Sequence, residues 1–157
     1  MSVIIESNLY KIKIKKRVIQ LLQSYRQIKQ CDKESGGILV GYETINGDFV
    51  IEYYTEPYSN DRSSRVSFDR IDKKHNEILK DIWNREGNIH MYMGEWHTHP
   101  EDYPKYSNKD KKNWIEIAKK MNKRKFFHII VGNKKISIWQ CDGLTNEIKK
   151  IGDIFNE

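Results

Sequence analysis

Cysteine is scarce in this sequence. Only two cysteines, Cys31 and Cys141, occur among 157 residues. They cannot supply a disulfide framework or a cysteine-rich metal site, so we expect reduced thiols in a cytoplasmic protein. Cys31 lies close to Glu34 and is considered as a nucleophile, but no neighbour in the sequence would lower the pKa of its thiol.

Long apolar runs are also lacking. No stretch approaches the roughly 20 residues of a membrane-spanning helix, and the N-terminus has no basic, apolar and small-residue signal pattern. No internal repeat or low-complexity linker is visible. A chain of 157 residues is long enough to bury a proper core. We therefore predict one domain over residues 1–157, with no membrane partner.

Charged residues, by contrast, are abundant, and their balance is basic, with a net charge of +6. Nine of the basic residues crowd one segment: Lys105, Lys109, Lys111, Lys112, Lys119, Lys120, Lys123, Arg124 and Lys125. One interpretation is a surface for an acidic protein or a nucleic acid. We favour a solvated helix face, because aromatic residues are not interleaved there as a single-strand binder would need. Nucleic acid is therefore not an expected partner.

The hydrophobic pattern alternates between helical and strand periods. Apolar spacing predicts helices over residues 15–30, 71–85 and 108–123. Strands are predicted at 2–5, 38–42, 49–54, 66–68, 91–96, 126–131 and 135–141, with a last strand or hairpin within 143–151. This order predicts an α/β fold in which a mixed sheet has helices on both sides. His75 is interpreted as a solvated or capping side chain, and residues 57–64 as an exposed loop.

The chemistry is concentrated between residues 94 and 110, in the sequence G-E-W-H-T-H-P-E-D-Y-P-K-Y-S-N-K-D. His97 and His99 follow the predicted strand at 91–96. Residues two apart in a strand point to the same side, so both imidazoles can reach one ion. Pro100 cannot donate to a sheet and ends the strand.

Asp110 completes a His-x-His-x10-Asp pattern. It falls in the first turn of the helix predicted from about residue 108, where the helix dipole favours a carboxylate. Two imidazoles and one carboxylate suit zinc, and three protein ligands leave a fourth position open for water. The alternative is a chance histidine pair, with Ser107 acting only as an N-cap. Because several positions must coincide, the pattern favours a metal site.

The run His97-Thr98-His99-Pro100, with Ser107 and Asp110, resembles the signature of the JAMM zinc metalloproteases, also called MPN-plus domains, and in particular their prokaryotic JAB branch. The resemblance implies that His97, His99 and Asp110 bind Zn²⁺. It also implies that Ser107 supports the oxyanion and orients the bound water. The implied fold is a curved, cytidine-deaminase-like α/β sheet with the metal at one edge.

The same resemblance implies a glutamate on an earlier strand that acts as general base. Glu34 fits this position, because it lies just before Gly36 and Gly37 at the start of a predicted strand. The two glycines permit either a simple turn or the close approach of a substrate backbone.

The resemblance also implies a class of substrate. The family mostly cleaves isopeptide or peptide bonds after the C-terminal glycine of ubiquitin or a ubiquitin-like protein. Residues 34–37 and 94–101 resemble the deconjugating peptidases of bacterial CBASS antiviral systems, which release a nucleotidyltransferase attached through its C-terminus. The implied partners are therefore a ubiquitin-like or C-terminally conjugated protein and an operon-encoded conjugating-enzyme system.

Two alternatives remain open. A non-catalytic MPN scaffold would only bind partners, but such scaffolds have lost the metal ligands, and every ligand position is filled here. A DNA-repair-associated JAMM-like protein shares the His-x-His-x10-Asp spacing, but its motif is richer in Gly and Pro. Glu101 and Asp102 would in addition repel phosphate.

Overall fold

The computed structural model describes residues 1–121 and 124–156. The strands are β1 Ser2–Glu6, β2 Lys11–Lys15, β3 Gly36–Glu43, β4 Phe49–Tyr54, β5 Arg62–Ser64, β6 Ser67–Asp69, β7 Met91–Thr98, β8 Lys125–Val131, β9 Lys135–Asp142 and β10 Ile148–Phe155. The helices are α1 Lys16–Ser24, α2 Lys74–Arg85 and α3 Asn108–Lys120. None of the helices in these two ranges is long and apolar enough to cross a membrane.

Eight strands form one mixed sheet in the order β1-β2-β4-β3-β7-β8-β9-β10, and β5 and β6 form a separate hairpin. β3 pairs antiparallel with both β4 and β7. β8 runs parallel to β7, because the chain passes through α3 before it returns to the sheet. The outermost strands β1 and β10 contact each other, so the sheet curves until it is nearly closed.

Helices cover both faces of this sheet, as predicted. Phe127 and Ile129 of β8 lie in the core cluster that contains Leu22 of α1. Phe126 and Ile130, which point the other way along the same strand, pack with α3 instead. The α2 helix packs on β3 with its own small cluster. The curved α/β architecture predicted from the sequence is confirmed.

The predicted helix over residues 15–30 is too long. The helix ends at Ser24. Beyond it, the side chain of Gln27 turns into the protein and donates to the backbone carbonyls of Asp32 and Arg65. α3 likewise ends at Lys120, and Lys123 lies outside the described residues.

Two observed strands are absent from the predicted set. In β2, Ile12 and Ile14 alternate with lysines and are fully buried, which is the period of a half-buried strand. β5 falls within residues 57–64, which the sequence analysis predicts as an exposed loop. It is indeed exposed, but it pairs with β6 and forms a hairpin.

The prediction that His75 is solvated or capping is wrong. Its side chain is fully buried, with Nδ1 2.5 Å from Thr55 Oγ1 and Nε2 2.7 Å from Asp61 Oδ2. Asp61 also accepts from the backbone N–H groups of Ile71 and Asp72. These bonds hold the base of the β5–β6 hairpin on the sheet.

Gly94 shapes the strand that leads to the two histidines. The pairing of β7 with β3 shifts between Leu39 and Val40, which places a β-bulge next to this glycine. Its φ is +147°, a conformation that L side chains rarely adopt, and a Cβ there would lie 1.9 Å from Phe127 O. Only glycine therefore fits this position.

We expect Gly94→Ala to lower the free energy of unfolding by about 3 kcal/mol or more, because unfavourable φ costs about 1–2 kcal/mol and overpacking about 1–3 kcal/mol. The matched control is Gly47→Ala, where φ is +83° but nothing lies within 4 Å of the added Cβ. That control should lose only about 1 kcal/mol. Urea unfolding curves measure the free energy of unfolding of both variants. Equal losses would mean that the close approach of Phe127 O does not account for the effect at Gly94.

Candidate metal centre

The two histidines of the motif lie at the end of β7. Their side chains share one side of the strand, and Nε2 of His97 is 3.0 Å from Nε2 of His99. The backbone N–H of His99 donates to Val131 O at 3.0 Å, which keeps His99 aligned with β8 beyond the last residue of β7. The geometry of the strand therefore brings the two predicted imidazole ligands together.

Asp110 reaches the histidines from the first turn of α3. Ser107 is the N-cap: its Oγ accepts from the backbone N–H of Asp110 at 3.1 Å, while its own N–H donates to Asp110 Oδ2 at 2.8 Å. This reciprocal capping box fixes the carboxylate. Oδ1 lies 3.1 Å from His97 Nε2, and Oδ2 lies 3.2 Å from His99 Nε2.

These three side chains fit a zinc ion. The two imidazole nitrogens lie 3.0 Å apart, and each lies 3.1 or 3.2 Å from a different oxygen of the Asp110 carboxylate. Tetrahedral zinc with bonds of about 2.0–2.1 Å separates its ligand atoms by roughly 3.3–3.4 Å. Outward movements of a few tenths of an ångström would therefore seat the ion. Two imidazoles and one carboxylate are also a donor set that zinc prefers.

Glu101 orients one of the imidazoles. Its Oε1 lies 2.9 Å from His99 Nδ1, and a carboxylate can only accept, so Nδ1 carries the proton. In the neutral ring, Nε2 is then unprotonated and presents its lone pair to the centre. This is the carboxylate–histidine arrangement that supports metal ligands. Glu101 is not among the site residues predicted from the sequence, although an acidic residue two positions after a candidate ligand could have indicated this role.

The charged groups of the centre shift the pKa values of one another. Burial alone would raise the pKa of Asp110, but hydrogen bonds to His97 and His99 outweigh burial and hold that pKa well below its usual range. Burial opposes protonation of His99, yet the hydrogen bond and charge of Asp110 raise the pKa of that imidazole. The carboxylate thus stays ionised and favours a positive charge between the three groups, whether a proton or a metal ion.

Glu34 lies beside the histidines. Its side chain is buried, and one ligand atom from each of Glu34, His97 and His99 lies within 4.8 Å of the others. Its backbone is held by the β5–β6 hairpin: Glu34 N donates to Ser64 O at 2.8 Å, and Ser63 Oγ donates to Glu34 O at 2.5 Å. Burial raises the pKa of Glu34 to about 7, against the opposing effect of the two histidines. A carboxyl group with a pKa near neutrality suits proton transfer.

The two glycines that follow Glu34 are strand residues and do not form a turn. Both belong to β3. A Cβ on Gly37 would lie 2.1 Å from Thr55 O, and one on Gly36 would meet the ring of Phe68 and Trp96 O. Close packing of backbone and ring against the strand therefore accounts for both glycines.

A cleft of about 310 Å³ opens beside the centre, between β6 and α3. His97 and Asp110 are among its lining residues, so the cleft leads to the candidate ligands. The Arg70–Glu95 ion pair, at 2.7 Å, also lines it. Within the described part of the chain, β6 pairs with β5 alone, so its second edge carries no strand.

Comparison with known proteins gives one family and several relatives. The profile of the family described as "Prokaryotic homologs of the JAB domain" matches residues 19–142. Proteins named "CD-NTase/cGAS isopeptidase" are similar to this chain. The one from Escherichia coli is 35% identical over 88% of this chain and 85% of its own length. The one from Pseudomonas aeruginosa is 33% identical over 78% of each chain.

A protein of the same name from Vibrio cholerae is 38% identical over 62% of each chain. Among solved structures, a protein from Desulfitobacterium hafniense superimposes with a TM-score of 0.61 over 88% of each chain, at 17% identity. At that identity the likeness concerns the fold alone.

We expect Glu101→Ala to weaken zinc affinity about tenfold or more, because His99 loses the acceptor that fixes its tautomer and orientation. The control is Asp102→Ala. Its carboxylate, next along the chain, lies 3.7 Å from Lys134 Nζ and contacts no histidine. Competition titration against a chromophoric chelator measures both affinities. If the two variants bind zinc equally well, Glu101 does not support His99.

Proposed function

Because this chain belongs to the family of prokaryotic homologues of the JAB domain, we propose that it is a zinc-dependent isopeptidase of the JAMM type. One observation carries the proposal: two imidazole nitrogens and a carboxylate converge within 3.0 to 3.2 Å, with a buried glutamate beside them. His97, His99 and Asp110 would hold the ion. Glu34 and Ser107 would carry out the proton transfer and the oxyanion stabilisation.

When bound, a zinc ion supplies a Lewis acid and lowers the pKa of water from about 15.7 toward about 7. Glu34 takes the proton of the attacking water and delivers it to the leaving amine, a task that a pKa near neutrality favours. Ser107 Oγ already accepts from Asp110 N, so its hydroxyl proton is free to donate to the developing oxyanion.

Glu34 is close enough to the histidines to act either as a base or as a fourth ligand. We propose the base. The three other groups already form a set matched to zinc, and a fourth protein ligand would close the position that hydrolysis needs open. Glu34 is also attached to the hairpin, whereas the other three belong to β7, the residue that follows it, and α3.

The names of the relatives support a substrate class. We propose that the chain releases a CD-NTase, or another protein joined through an extended C-terminal tail such as that of a ubiquitin-like protein, from its conjugate. The cleft between β6 and α3 suits such a tail, because the unpaired edge of β6 can accept it as an added strand. Such a release would serve bacterial antiviral defence together with a conjugating-enzyme system. The free thiols of both cysteines fit a cytoplasmic location.

Glu34→Gln should abolish cleavage while the protein keeps one zinc per chain, because the amide can no longer accept a proton. The assay is release of a reporter fused through a peptide bond to the C-terminus of a CD-NTase, with a ubiquitin-like fusion in parallel. Elemental analysis gives the zinc content. Full activity in Glu34→Gln would remove Glu34 from the mechanism.

His97→Ala is the companion variant for this experiment, and it should lose both zinc and cleavage. Zinc bound by the wild type without cleavage of either fusion would contradict the proposed substrates. Absence of zinc from the wild type, with both fusions intact, would point to the non-catalytic scaffold.

Asn113→Trp should reduce kcat/KM about tenfold or more, mainly through KM, because the indole would fill the cleft from α3. Zinc content should not change. The control is Lys112→Trp, at the adjacent exposed position, which does not line the cleft. Steady-state kinetics on the cleaved fusion compare the two. Equal kinetics for both variants would mean that the substrate tail lies elsewhere.

A further inference from the structure

We infer that Gln27 and Thr98 are positioning residues, which hold Glu34 in register with the metal centre. The inference rests on the proposed function, because it assigns Glu34 the role of base. Neither residue touches the centre. They act through a buried chain of hydrogen bonds that connects three segments distant in sequence.

Gln27 is the junction of these segments. Its side chain is 1% exposed although it is polar. Nε2 donates to Asp32 O at 3.1 Å and to Arg65 O at 2.9 Å, and Oε1 accepts from Thr98 Oγ1 at 2.8 Å. Asp32 lies two residues before Glu34. Arg65 lies between the two strands of the hairpin that holds the backbone of Glu34.

Thr98 connects the same junction to the two histidines. It lies between His97 and His99, so its side chain points to the opposite side of the strand. Its Oγ1 accepts from Ser35 N at 2.9 Å, and its N–H donates to Ser35 O, also at 2.9 Å. The residue after Glu34 is thus bonded twice to the residue between the candidate ligands.

The direction of every bond in this network is determined. Ser35 N can only donate, so Thr98 Oγ1 accepts there and must donate its own proton to Gln27 Oε1. The Gln27 amide hydrogens then face the two carbonyls of Asp32 and Arg65, and a flipped amide would place oxygen against oxygen. Loss of the Thr98 hydroxyl would leave both Ser35 N and Gln27 Oε1 without a partner, next to Glu34.

This hydrogen-bond network determines the position of Glu34 relative to the candidate ligands, in addition to stabilising the fold. The candidate ligands have supports that do not involve the Thr98 hydroxyl, namely the backbone pairing of β7 with β8, the capping box and Glu101. Glu34 is fixed instead through Asp32, Ser35 and the hairpin. Since a displacement of about 1 Å in a reacting group can cost about a hundredfold in rate, a loosened Glu34 should lower turnover without releasing the metal.

The test compares Thr98→Val, which keeps the shape and removes the hydroxyl, with Thr98→Ser, which keeps the hydroxyl. On the CD-NTase fusion, kcat of Thr98→Val should fall about tenfold or more, with KM within about twofold and one zinc per chain. Thr98→Ser should keep kcat within about threefold of the wild type. Gln27→Met should show the same fall in kcat as Thr98→Val, with KM and zinc content likewise kept.

Crystal structures of the zinc-loaded variants provide a measurement that does not need activity. In Thr98→Val, Glu34 should move by more than about 0.5 Å while His97, His99 and Asp110 stay in place. The inference is overturned if Glu34 does not move in Thr98→Val, or if that variant loses zinc. It is also overturned if kcat of Thr98→Ser falls as far as kcat of Thr98→Val. A wild type that cleaves neither fusion would contradict the proposed function, and the crystal structures would still decide the positioning role.

Discussion

The structure around the centre depends on one electrostatic constraint. Two imidazole nitrogens lie 3.0 Å apart, and both lie next to a carboxylate whose pKa is held low. Glu101 keeps the proton of His99 on the far side of its ring, so the lone pair of His99 Nε2 and the negative charge of Asp110 converge on the same point. Such a set favours a positive charge between its members, and a divalent ion would contact all three groups at once. The surrounding elements hold this unfavourable convergence in place.

Three features of the fold bring these side chains together. Strand period places His97 and His99 on one side, and the bulge at Gly94 sets the course of β7 toward them. The parallel pairing of β7 and β8 requires a crossover, and its helix α3 brings Asp110 to the strand end. Glu34 lies two residues before β3, which is antiparallel to β7 and therefore begins where β7 ends. Sheet topology thus makes one site from residues 76 positions apart.

The proximity of candidate site residues could be predicted where they are close in the sequence. The two histidines, Ser107 and Asp110 lie within 14 residues, and strand period and helix capping determine how such neighbours meet. Hydrogen bonds between residues that are distant in the sequence could not be predicted. Nothing in the sequence near Gln27 indicates that it would bond to Thr98, 71 positions away. The burial of His75 was missed for the same reason, because its partners Thr55 and Asp61 lie in the connection between β4 and β5.

The β5–β6 hairpin beside the centre is held by buried hydrogen bonds on one side and by an exposed contact on the other. Its base is held by buried, multiply bonded groups around Asp61 and His75. On the side of α3, the hairpin is bonded to Lys109, whose Nζ donates to Ser67 Oγ and lies 2.7 Å from Asp69 Oδ1. The side chains of Lys109 and Asp69 are both 44% exposed. Exposed pairs contribute about 1 kcal/mol at most, so a strand that enters the cleft can displace this contact at little cost. Ser63 and Ser64 of β5 meanwhile hold the backbone of Glu34, so the proposed entry of substrate and the position of the proposed base depend on different bonds.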